Sequence, residues 1–114
     1  MKSILKHDKI INLCAIDNPP GYNKDKILEE MSEFQQVMLK LITKHPDNRP
    51  DKVELIKEFG DLVYRGMIYL YQEFPEFELE ELVDKVNARI DKKLKEMETY
   101  RKDDVYNEKY KGTL

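Results

Sequence analysis

The chain has 114 residues, 38% of them charged and 40% apolar, with a formal net charge of -3 and a pI of about 5.5. That length allows about one domain with a modest core, and the lack of low-complexity tracts or a repeated unit marks it as globular. The acidic balance offers no broad basic field for a nucleic-acid polymer, a lone Cys14 rules out a disulfide framework or a cysteine zinc site within one chain, and no apolar run approaches the roughly 18 residues of a membrane span.

The opening stretch "MKSILKHDKI" has no apolar signal core, so the expected location is cytoplasmic. Ser3 is placed to cap a first helix carrying Ile4, Leu5, Ile10, Ile11, Leu13 and Cys14, with Cys14 expected as a small buried thiol. "DNPPGYN" then reads as a loop, and Asn23 as the N-cap of a second helix running to about Lys44. In that helix Ile27, Met31, Phe34, Met38 and Leu41 recur at steps of four and three, an apolar stripe of helical period. "HPDNRP" ends it, which gives His45 a loop role.

A third helix is predicted from about Asp51 to Glu73. Its second half, "LVYRGMIYLY", is apolar nearly all round, so it needs cover on several sides, and subunit association would supply it. Gly60 and Gly66 are expected to permit close helix packing. After "EFPEFE" a fourth helix carries Leu79, Leu82, Val83, Val86, Ile90, Leu94 and Met97 to about Tyr100. No segment alternates with the period of a strand. The predicted fold is therefore all-α, a bundle of about four helices with two long central antiparallel helices, assembling as an oligomer. Residues 101–114 read as a polar C-terminal tail that could dock on a neighbour.

Two pairs of acids interrupt the central stripes. At about 100° per residue, Glu30 and Glu33 lie some 60° apart at the edge of the Ile27/Met31/Phe34 stripe, with Glu29 farther toward solvent. Glu58 and Asp61 form a matching i, i+3 pair beside Leu55, Phe59 and Leu62. Antiparallel packing of the two helices would bring four carboxylates together, and such a group needs protons or cations to offset its repulsion. Oxygen ligands on rigid helices suit a hard cation, Mg²⁺ or Mn²⁺, that also binds substrate phosphates. Spacing alone leaves a solvated charged edge equally open. A di-iron site is excluded, because neither His7 nor His45 follows a Glu by three residues.

"EEMSE", followed 25 residues later by "EFGD", resembles the EExxE...ExxD signature of the all-α nucleotide pyrophosphohydrolases, the MazG-like group. "KVNARIDKKL" at residues 85–94 resembles that group's K-x-N-x-K-x-x-R-R segment. The resemblance implies a MazG-like domain over residues 1–100 that converts a nucleoside triphosphate to the monophosphate and pyrophosphate, as a homodimer or homotetramer. Carried over by position, the metal ligands are Glu30, Glu33, Glu58 and Asp61, holding Mg²⁺ or Mn²⁺. Either Glu29 or Glu33 serves as the catalytic carboxylate that orients or deprotonates water, and Lys85, Asn87, Arg89 and Lys93 fall in the substrate-binding segment. Arg89 and Lys93 exchange Lys and Arg relative to the pattern, which keeps charge and alters hydrogen-bond geometry. Lys85, Arg89, Lys92 and Lys93 project within about 100° of each other, with Asn87 on the other flank. Two other readings stay beside the enzyme: a helical protein-interaction module and a non-catalytic nucleotide-binding sensor.

Overall fold

In the computed structural model, which describes residues 2–102, five α-helices and one short 3₁₀ turn account for the regular structure, and no strand occurs among the described residues. The helices are α1 (Lys2–Lys6), α2 (Asp8–Asp17), α3 (Pro20–Thr43), α4 (Glu54–Glu73) and α5 (Leu79–Lys102), with the 3₁₀ turn at Pro46–Asn48. None of the helices among the described residues is long and apolar enough to cross a membrane. The chain divides into two compact units, Met1–Leu79 and Glu80–Leu114.

The predicted first helix is two. His7 stands between α1 and α2, and Ser3 lies inside α1 rather than capping it. The predicted loop around the two prolines is also shorter than expected. Pro19 takes the N-cap position and Pro20 the first helical one, where a missing N–H is harmless and the fixed φ suits the helix. Asn23 is thereby released from capping. It is 1% exposed, its Oδ1 accepts from Asn18 Nδ2 at 3.0 Å, and its Nδ2 donates to the Cys14 carbonyl at 3.3 Å. This amide ties the end of α2 to the first turn of α3. Gln72 of α4 adds a second tie, its Nε2 donating to the carbonyls of Ala15 and Asn18, each at 3.1 Å. Asn23→Ala is expected to cost about 1–3 kcal/mol, because it leaves buried polar groups without partners. Urea unfolding followed by circular dichroism reads this, and a loss below about 0.5 kcal/mol would contradict the role.

The two central helices pair as the stripes require. Going up α3, Ile27 lies near Gly66 and Phe34 lies against Phe59, with ring centroids 5.8 Å apart, so numbering falls along α4 as it rises along α3. The pair is antiparallel. Gly66 is in ordinary contact, since a Cβ there would stand 3.4 Å from Ile27 Cδ1, whereas one at Gly60 would meet nothing within 4 Å. The close-packing role expected of Gly60 is therefore not seen.

Cover for the central pair is partial. Met67 and Ile68 of α4 are buried, as are Ile4, Ile11 and Ala15 of the short helices, but Phe59 is 55% exposed and Ile56 74%, and Leu28, Met31 and Leu39 of α3 are exposed as well. Cys14 is half-buried rather than enclosed. On α5, taken by itself, Ile90, Leu94 and Met97 form an exposed apolar stripe. The tail expected at residues 101–114 contributes Arg101 and Lys102 to the end of α5, and the rest of it lies outside the described residues.

Candidate metal centre

The antiparallel pairing sets the acids of α3 against those of α4. Glu30, Glu33 and Glu58 each place a carboxylate oxygen so that all three lie within 4.8 Å of one another. Glu30 and Glu33 come from successive turns of one face of α3, and Glu58 reaches them from α4 one residue before Phe59, whose ring contacts Phe34. Glu58 is 8% exposed, and its Oε2, like that of Glu30, is buried without a hydrogen-bond partner. Lys57 Nζ approaches the other Glu58 oxygen at 3.8 Å, too far for a hydrogen bond.

Burial and like charge act together on these groups. Desolvation is the largest influence raising the Glu30 carboxyl above its ordinary value, followed by the Glu33 charge, a hydrogen bond with Glu33 that favours the protonated form, and the charges of Asp61 and Glu58. The Glu58 carboxyl is raised in the same way, by desolvation first and then by Glu33, with Lys57 opposing and Asp61 adding to the shift. Glu33 is thus the neighbour common to both. Asp61 lies outside the close trio but near enough to act on Glu30 across the helix pair and on Glu58 along α4.

A group whose folded pKa is raised stabilises the fold below its unfolded value and loses that contribution as pH rises through the folded value. The metal-free protein is therefore expected to lose stability as pH climbs from the ordinary carboxyl value of 4.5 through the raised values of Glu30 and Glu58. Urea unfolding in EDTA at a series of pH values checks this against Glu30→Gln. The variant should gain on wild type as pH rises, and a difference independent of pH would contradict the shift.

Orphaned, desolvated carboxylate oxygens on two helices are a donor set short of a partner, and a hard divalent cation fits it in charge and in ligand chemistry. Glu29, the other catalytic candidate, stands apart. Its carboxylate is exposed and takes a hydrogen bond from Lys26 Nζ at 3.1 Å. The substrate-binding candidates Lys85, Asn87, Arg89 and Lys93 all lie on α5, in the second unit. There Lys93 Nζ donates to Glu96 at 3.1 Å, and the Glu96 carboxyl is lowered by that bond and by the charges of Lys93, Lys92 and Arg89. Arg89, Lys92 and Lys93 thus all act on one carboxylate of α5.

Two residues escaped the sequence reading. Gln72 looked like an ordinary polar break near a helix end. Arg65 was visible as a cation inside the otherwise apolar "LVYRGMIYLY", and that mismatch was the available signal. Its Nε is buried without a hydrogen-bond partner, and its guanidinium lies 5.0 Å from the Tyr64 ring centroid.

Comparisons of the chain with protein-family models, with curated proteins and with solved structures found no match.

Proposed function

We propose that the protein is a Mg²⁺-dependent nucleoside triphosphate pyrophosphohydrolase, acting at the α-phosphorus to give a nucleoside monophosphate and pyrophosphate. The observation that carries this reading is the convergence of Glu30, Glu33 and Glu58 within 4.8 Å, with buried oxygens on Glu30 and Glu58 that lack a hydrogen-bond partner. The resemblance of "EEMSE" and "EFGD" to the MazG-like signature supports it independently of that geometry. Glu30, Glu33 and Glu58 would hold the cation, with Asp61 as the fourth acid. A bound divalent cation supplies neutralisation of phosphate oxygens and acidification of a coordinated water.

The chain's own residues do the rest. Glu33, common neighbour of Glu30 and Glu58, is better placed than Glu29 to accept the proton of the attacking water, since Glu29 is engaged with Lys26 on the exposed side. The resemblance of residues 85–94 assigns phosphate contacts to Lys85, Asn87, Arg89 and Lys93, and cations of that kind would offset the charge of a departing pyrophosphate. The exposed apolar residues on α3 and α4 support assembly as a homodimer or homotetramer.

A panel of canonical and modified ribo- and deoxyribonucleoside triphosphates, assayed with Mg²⁺ for pyrophosphate release, tests the reading. At least one member should yield pyrophosphate and monophosphate in equal amounts. Release of orthophosphate alone, or no release from any of them, would overturn it.

A further inference from the structure

The pair formed by α3 and α4 has two unlike faces. In antiparallel neighbours the same sense of rotation about each axis leads to the same face of the layer. The inward line of each helix is marked by the residues that meet, Ile27 and Phe34 on α3 and Phe59 and Gly66 on α4. From that line one sense reaches Glu30, Glu33, Glu58 and Asp61 at about 50° to 150°, and three of these acids do converge. The other sense reaches Leu28, Met31, Leu39 and Ile42 on α3 and Ile56 on α4 at about 50° to 130°. Over residues 28–42 and 56–71 that arc carries no charged residue, in a chain that is 38% charged. With Phe59 beside them, these side chains are each between half and three-quarters exposed. At about 100 Å² apiece they offer about 600 Å² of apolar surface, the upper end for the largest patch on a monomer. Counting the neutral residues between them, the face comes close to the roughly 800 Å² per partner of a stable interface.

We propose that this uncharged face of α3 and α4 packs against the same face of a second copy about a two-fold axis, back to back with the acids, so that the acids of each copy stay on the outer side of a four-helix layer. The face holds no charge by which to select a different partner, and a two-fold contact sets it against itself without opposing like charges. Gly60 lies on the same side, and a Cβ there would meet nothing within 4 Å. Glycine within a helix costs about 1 kcal/mol against alanine, and among the described residues its small size serves no contact; a helix of the second copy can approach closely there. The assignment does not depend on the nucleotide chemistry.

Sedimentation equilibrium of the full chain in EDTA tests this, with far-ultraviolet circular dichroism to follow helicity. At about 10 μM the wild type should be a dimer, or a tetramer containing two such contacts. Ile42→Lys combined with Ile56→Lys changes two of the most exposed apolar residues, so the single subunit should keep its helicity. Across the two-fold contact the same change would bury four unpaired ammonium groups, and the dissociation constant should rise at least about a hundredfold, giving monomers from dimers or dimers from tetramers. Should the lysine variant fail to fold, Leu39→Gln with Ile56→Gln should weaken the contact at least about tenfold. Ile90→Lys with Leu94→Lys is the control, since it charges an equally exposed apolar stripe on α5 and should leave assembly as in the wild type. A monomeric wild type, whatever other molecule binds the face, would overturn the assignment. So would assembly that survives the α3 and α4 substitutions, or that is lost as readily with those on α5.

Discussion

Glu58→Gln is expected to lower pyrophosphate release by at least about 10²- to 10³-fold, the scale of removing one charge-stabilising group from a phosphate or acyl transfer site. Glutamine keeps the size and the helix preference of the side chain and removes the charge a cation needs. Far-ultraviolet circular dichroism should therefore remain at its wild-type value. In EDTA the variant should be at least as stable as wild type near neutral pH, because the carboxyl it replaces is desolvated and surrounded by Glu33 and Asp61, which disfavour its ionised form. Turnover at the wild-type rate in a folded Glu58→Gln protein would remove Glu58 from the site. Asp61→Asn offers a graded comparison, since Asp61 lies beyond the close trio and acts on it at longer range.

Chelation should have an effect as large. With EDTA in excess, pyrophosphate release should fall to background, and Mg²⁺ or Mn²⁺ added beyond the chelator should restore it. The reason is electrostatic. Without a cation, the carboxylates of Glu30, Glu33 and Glu58 confront the negative oxygens of a triphosphate, and like charges so close raise the cost of every encounter. Ca²⁺ is the informative control: it prefers more ligands and a looser shell than Mg²⁺, so it should occupy the acids and support less turnover. Full activity after exhaustive metal removal would contradict the mechanism.

The long helices were legible because their apolar residues repeat with helical period over enough turns to leave no competing reading. Antiparallel pairing followed from joining two such helices through "HPDNRP", and with it the meeting of Glu30 and Glu33 with Glu58. What was misread depended on choices between local and distant partners. Asn23 has the residue type of an N-cap, but the prolines before it already start α3, and its amide finds better partners in Asn18 and the Cys14 carbonyl. The break at His7 has no punctuating Gly or Pro, so nothing local marked it. Arg65 was overlooked because its surroundings include residues of α1, α2 and α3, which a pattern along α4 alone does not reveal.

The same contrast applies to the site. Acids at i, i+3 on two helices arise readily in a chain with 23 Asp and Glu residues, and spacing could not separate a ligand set from a solvated edge. The distinction is three-dimensional: Glu58 is buried with an orphaned oxygen, while Glu29 is exposed and paired with Lys26.

The central claim is that carboxylates from α3 and α4 share a divalent ion that grips a polyphosphate. A crystal grown with Mg²⁺ and a non-hydrolysable triphosphate analogue tests it most directly. The account predicts one or more ions bound by Glu30, Glu33 and Glu58, with Asp61 at the rim and phosphate oxygens completing the shell. Carboxylates turned out to bulk solvent around an ion-free cluster, with the analogue elsewhere or not bound, would contradict it.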